Sequence, residues 1–267
     1  MRLFHIFSKV FKKDWSLYNT IRLNFWVFPF KTAIKLPIKF GHRIDSRGLK
    51  RGSISFPQNV TIGKFIAEIG TCPHPMFSPK GLHTLLRFHP KGKLIINAGT
   101  KMYAGCSLTV GGTLQLGRDV LINQHVLIDC MNSITINECT SIGWYSQLYD
   151  WDFHYLYFKS DSTVHNCISR IEIGRNVWIT NHVTITKGCI VPDYSVIGSN
   201  SLVNKDFSSI EGEDNFFAGI PAKYIGKTGR RIVNNRVQYR LSREFAIEKA
   251  TKLKVEPEKF WFNHRWT

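Results

Sequence analysis

The chain has 267 residues and a formal net charge of +17, enough length for one large or two small domains and enough positive charge to call for an anionic partner such as phosphate, nucleic acid or a membrane surface. That charge sits at the ends: residues 1–51 hold 12 Lys and Arg against 2 Asp and Glu, residues 223–267 hold 12 against 4, and the middle is close to neutral. No stretch reaches the ~18 uncharged apolar residues of a spanning helix. The first residues lack a secretory leader pattern. The six cysteines, Cys72, Cys106, Cys130, Cys139, Cys167 and Cys189, lack CxxC spacing and read as reduced core thiols of a cytoplasmic protein.

Residues 1–51 form a basic, aromatic N-terminal arm. Leu3, Phe4, Phe7, Val10 and Phe11 fall at helical spacing, with Lys9, Lys12 and Lys13 off that stripe. Trp15, Tyr18, Phe25, Trp26, Phe28 and Phe30 follow. Two compatible roles are open for residues 1–30. They can cap the exposed edge of a sheet, or rest on an anionic membrane surface.

Residues 52–222 keep a different rhythm. Ile173, Ile179, Ile185, Val191, Ile197 and Val203 recur every six residues. Val177, Val183, Cys189, Ser195 and Ser201 follow at a fixed offset. Neither the helical period of about 3.6 nor the strand period of about two produces this. It suits a three-sided coil of short strands and turns, with the aliphatic residue inside and Gly, Asn or Asp at corners that tolerate left-handed backbone. The phase continues upstream through Ile96, Met102 and Leu108, then Leu116, Ile122 and Ile128, then Ile136, Ile142 and Leu148, with a longer step between triplets. Each triplet is one turn of the coil. A partial coil is expected over Ile54 and Ile62, with an irregular insertion at 70–93. The step from Leu148 to Ile173 is far too long, so 149–172 leaves the coil as an external loop. Residues 223–267 read as a basic extension, helical over about 236–253, with Phe260, Trp261 and Trp266 free to pack on a neighbouring subunit.

NVWITNHVTITKGCIVPDYSVIGSNSLVNKD followed by AGIPAKYI resembles the hexapeptide-repeat acyltransferases, and within them the maltose, galactoside and polysaccharide O-acetyltransferases. The resemblance covers roughly residues 52–227. It implies a mainly β fold, the left-handed parallel β-helix, and a homotrimer that binds acetyl-CoA between neighbouring prisms. It implies an acetyl transfer to a saccharide hydroxyl, which needs a base to take the hydroxyl proton.

His154, in DWDFH, matches the family's catalytic histidine, and imidazole titrates near neutrality. Asp150 or Asp152 is then the candidate to orient its ring. On the cofactor side the resemblance points to Asn181 beside the pantetheine arm, Ser199, Asn204 and Lys205 near the nucleotide, Lys223 at the phosphates, and Trp178 walling the pocket. The family often has a second basic residue three positions after Lys223. Here Gly226 stands there, so Lys227, Arg230 or Arg231 becomes the substitute. Asn123 and Asp129 are candidate acceptor ligands.

The rivals for the base are His182 and His125, each at a coil corner. A zinc site of the kind γ-type carbonic anhydrases build on this prism does not fit the separation of His125, His154 and His182, so no metal is expected. Other classes stay open: N-acetylation of an amino sugar or serine-type acceptor, a non-catalytic β-helix scaffold, and a nucleic-acid binder. The last is suggested by charge alone, without a stacking platform, and is not expected.

Overall fold

The computed structural model describes residues 14–72 and 81–256. Within them the chain winds into a three-sided prism, the left-handed parallel β-helix. The first face stacks strands 38–40, 67–71, 100–103, 121–122, 141–142, 178–179 and 196–197, and ends in an antiparallel hairpin, 215–219 with 222–227. The second face stacks 44–47, 84–88, 107–110, 127–130, 147–149, 184–185 and 202–203. The third stacks 54–55, 93–96, 113–116, 133–136, 171–173 and 190–191.

The six-residue phase translates directly into register. Met102, Ile122, Ile142, Ile179 and Ile197 stand one above another on the first face. Leu108, Ile128, Leu148, Ile185 and Val203 do so on the second, and Ile96, Leu116, Ile136, Ile173 and Val191 on the third. All are buried. Each such side chain contributes about 1.5–3 kcal/mol by leaving water. Val177, Val183, Cys189, Ser195 and Ser201 fill the spaces at the corners. All six cysteines are buried thiols, and none is joined in a disulfide. The left-handed corners hold Asn176, Gly188 and Asn200, but also Tyr145, His182 and Tyr194, which take positive φ despite their bulk.

Three expectations need correction. Ile62 is not a core position; it is 74% exposed and outside any strand. The stretch 70–93 is not irregular throughout, because strands 67–71 and 84–88 bring Ile69, Leu86 and Phe88 into the core. The prism also begins at residue 38, inside the stretch assigned to the arm. The reason is shared: corner segments of unequal length separate these strands, so their inward residues lose the six-residue phase that made later coils readable.

The open N-terminal edge is covered by helix α1, Leu17–Val27, followed by the short α2, Phe30–Ala33. Ser16 caps α1 by accepting from the Asn19 amide. The face of α1 turned to the prism is polar at its centre. Asn24 Nδ2 donates to the Ile38 carbonyl at 2.7 Å, and its Oδ1 accepts from the Ile38 amide at 3.1 Å. Thr20 Oγ1 accepts from the Phe40 amide, and Asn19 Nδ2 donates to the carbonyls of Gly41 and His42. These side chains satisfy the backbone groups that an open sheet edge would leave unpaired. At the other end Phe207 and Phe217 stack with centroids 4.4 Å apart. Helix α3, Asn235–Glu248, is capped by Asn234 and tied down through Val233 and Val237. Residues 1–13, Phe260, Trp261 and Trp266 lie outside the described residues, as does 73–80 of the expected insertion.

Candidate active site

The loop leaves the prism at the corner between the second and third faces, the corner that already carries Gly111–Gly112 and Met131–Asn132 in the coils below. Asp150 anchors it there. Its side chain is fully buried, with Oδ1 accepting from the Met131 amide at 2.7 Å and Oδ2 from the Asn132 amide at 2.8 Å. The two limbs then run as a ribbon. Trp151 bridges Ile168, the Asp152 amide donates to the Cys167 carbonyl at 2.9 Å, and Tyr157–Phe158 pairs antiparallel with Thr163–Val164. Trp151 and Phe153 pack 4.5 Å apart, with Tyr149 against Phe153.

His154 stands on this ribbon, just beyond the positive-φ residue Phe153, with its amide donating to the Asp152 carbonyl at 2.7 Å. It is exposed, and among the described residues its ring has no hydrogen-bond or ion-pair partner. Neither candidate aspartate touches the imidazole. Both oxygens of Asp150 are taken by backbone amides, which makes it the anchor of the loop. The Asp152 carboxylate meets Lys187 Nζ at 2.7 Å, and Lys187 also donates to the Asn166 carbonyl at 2.9 Å, so that pair pins the ribbon to the coil.

Asp129 lies on the outward side of the second face, one coil below Tyr149 and in a row with Arg87 and Thr109. Its Oδ1 is buried with no hydrogen-bond partner, and the buried Trp151 indole N–H is likewise unmatched. Burial raises the Asp129 pKa above the usual carboxylate range; the nearby Trp151 N–H, His89 and Arg87 oppose the shift and the Asp150 charge adds to it. The partial opposition by Trp151 fits an indole that approaches the carboxyl without completing a hydrogen bond. Arg87 and His89 were not singled out from sequence, because the lost phase between residues 54 and 96 hid their place on this face. Asn123 sits at the corner before the same strand, and its Nδ2 donates to the Ile142 carbonyl at 2.8 Å. Asn97 and Asn137 make the same contact with the coil above at another corner.

Of the cofactor-side residues, Asn181 and Ser199 share a different corner, between the first and second faces. Ser199 Oγ donates to Asn181 Oδ1 at 2.8 Å and lies 3.1 Å from Thr180 Oγ1. Beside them His125, Tyr145 and His182 form a column of stacked rings, 4.6 and 5.2 Å between centroids. Trp178 is partly exposed on the first face, paired with Ser141 below and Val196 above. Lys223 is exposed on the final hairpin, and Asn204 and Lys205 are exposed in the last turn of the prism. Of the substitutes for the missing second cation, Lys227 is held by the Glu213 carbonyl and Asn215 Oδ1, and Arg230 by Asp214 and Glu213. Arg231 is mostly enclosed, and desolvation pulls its pKa down to about 10. Among the described residues no group of three or more His, Cys, Asp or Glu is placed to hold a metal ion.

No family model matches the chain. Galactoside O-acetyltransferase of Escherichia coli strain K12 is 28% identical over 155 residues, covering 57% of this chain and 62% of that protein. WbbJ of the same strain, provisionally named a lipopolysaccharide biosynthesis O-acetyl transferase, is 28% identical over 146 residues, covering 49% of this chain and 71% of that protein. The resemblance is to O-acetyltransferases. The chain thus spans less than two thirds of the galactoside enzyme and somewhat more of WbbJ. A solved structure of the polySia specific acetyltransferase NeuO matches 83% of this chain and 91% of its own, at 22% identity and a TM-score of 0.49. The resemblance read from the motifs is borne out, since each of these relatives is named an acetyltransferase. Among the described residues no helix is long and apolar enough to cross a membrane.

Proposed function

We propose that this protein transfers an acetyl group from acetyl-CoA to a hydroxyl of a saccharide, with His154 as the general base. The observation that carries the reading is the loop. It is anchored by Asp150, clamped by the Asp152–Lys187 pair, and presents an exposed imidazole with no partner of its own. A positioned base of this kind contributes about 10²–10⁴ in rate. His154 would take the acceptor proton as the oxygen attacks the thioester carbon. The carbon–sulfur bond then breaks, and the proton passes to the departing thiolate.

The residues present fit the cosubstrate. Lys205 and Lys223 have no ion pair among the described residues and offer point charges to phosphates. Asn181 and Ser199 offer a polar pair on an exposed corner. The loop and that pair leave the prism at different corners, so a site combining them is completed by a neighbouring chain, which supports a homotrimer. Asp129, with an unsatisfied buried oxygen near the loop, is suited to an acceptor hydroxyl. The same reading has the enzyme act in the cytoplasm, where acetyl-CoA is the acyl donor.

Turnover of acetyl-CoA with a panel of sugars, followed by free thiol, tests this for wild type and His154→Ala. The expected result is thiol release driven by a hydroxyl sugar, and a loss of about 100-fold or more in the variant with coenzyme A binding retained. Full rate in the variant would move the base to His182. Absence of coenzyme A binding would remove the acyl-transfer reading. A preference for amino sugars would change the acceptor from oxygen to nitrogen.

A further inference from the structure

Helix α1 is amphipathic in the reverse sense. Its prism-facing side carries Asn19, Thr20 and Asn24 along with Leu23 and Val27, all buried. Its outward side carries Leu17, Tyr18, Ile21 and Phe25, and the aromatic run continues through Trp26 and Phe30 to Ile34. Tyr18 is 72% and Phe30 68% exposed. The rings of Phe25 and Phe30 lie 6.0 Å apart in one patch. A helix whose only task was to cap a sheet edge in water would turn these side chains inward or replace them with polar ones.

The charges carried by the segment itself are of one sign. Between residues 15 and 44 the chain has Arg22, Lys31, Lys35, Lys39 and Arg43, and no Asp or Glu. Of the acids close by in sequence or space, Asp14 and Glu68 are both engaged with Lys39, and Asp45 with Arg47. Lys35 donates to the Val60 carbonyl, and Arg43 lies against His83 at 3.4 Å. Arg22 is held over the Tyr18 ring at the edge of the patch. An occupant must therefore be apolar within and anionic at its rim. A second copy would bring an equally cationic face against this one, and residues 1–13 add only basic charges.

We propose that the outward face of α1 and α2 docks this protein on an anionic lipid bilayer, with Ile21, Phe25, Trp26 and Phe30 entering the interface and Arg22 and Lys31 meeting the headgroups. The helix lies in the plane of the interface and spans nothing. The Asn and Thr side remains bonded to the first strand, so docking needs no unfolding of the cap. This goes beyond the acetyl-transfer reading and does not depend on it, because its measurement contains no cosubstrate.

The test is co-sedimentation of the full chain with vesicles of phosphatidylcholine, with and without about one-third phosphatidylglycerol. Wild type is expected on the mixed vesicles and in the supernatant with phosphatidylcholine alone. The triple variant Ile21→Ser, Phe25→Ser, Phe30→Ser, altered only at exposed positions, should bind at least about ten-fold more weakly with an unchanged melting curve. Arg22→Gln with Lys31→Gln should lose about five-fold per residue, on anionic vesicles only. Removing residues 1–13 should leave most of the binding in place. Full binding by the triple variant overturns the proposal, as does loss of all binding on removing 1–13. Sedimentation equilibrium showing that the triple variant breaks up an end-to-end assembly, with no lipid binding by wild type, assigns the face to a second copy and overturns it as well.

Discussion

Asp150→Asn separates an anchor from a catalyst. In the native loop the carboxylate accepts two buried amides, Met131 at 2.7 Å and Asn132 at 2.8 Å, where the coil below turns its corner. Asparagine keeps one acceptor oxygen and turns an NH₂ group toward the other amide. The lost charge-assisted bond is worth about 1.5–3 kcal/mol and the orphaned buried N–H costs about 1–3 kcal/mol. These overlap, so the expected loss is about 3–4 kcal/mol, on the order of 10 °C in Tm for a chain of this size. Asp152→Asn is the control. It breaks a partly exposed pair with Lys187 and should cost at most about 1 kcal/mol. Urea and thermal unfolding by circular dichroism measure both variants, beside thiol release by each folded protein. If Asp150→Asn unfolds within about 1 kcal/mol of wild type yet loses turnover as fully as His154→Ala, Asp150 acts on the imidazole and the anchoring argument is wrong.

Asn24→Leu preserves size but strips both bonds to Ile38, leaving a buried amide and carbonyl unpaired. It should cost about 2–5 kcal/mol, and hydrogen exchange should show the loss concentrated at residues 38–40. Asp129→Asn tests the raised carboxyl. A carboxyl whose folded pKa lies above its unfolded value favours the fold below the unfolded pKa and loses that advantage as pH rises through the folded one. The asparagine variant should therefore be the more stable protein at neutral pH, by urea midpoint, with the difference shrinking as the solution is acidified. An unchanged difference across that range would place the cause outside the titration of Asp129.

Much of the candidate site was legible because the family's motifs are tied to the coil. The broken step between Leu148 and Ile173 announced a loop, and DWDFH within it announced His154. Asn181 and Ser199 do share a corner, and Lys205 and Lys223 are exposed. What the spacing could not reveal was the use of each polar group. Asp150 and Asp152 are equivalent candidates on paper, two residues apart. In the folded chain one is sealed beneath the loop against amides some twenty residues earlier, and the other is drawn to Lys187, thirty-five residues later. Asn123 reads as a ligand candidate, while its side-chain amide serves the coil above. Arg87 and His89 were missed because the uneven corners of the first coils break the count that would have placed them beside Asp129.

By itself the sequence determined the prism from Ile96 to Val203. A coiled ladder returns every inward position after a constant number of residues, so its core is written as a local period. Tertiary structure alone decided where the prism begins, which aspartate holds the loop, and that α1 turns its asparagines inward and its aromatics out. Those outcomes depend on which backbone groups an edge or corner leaves unpaired. The unpaired partner lies across the fold, at a separation that no local pattern encodes.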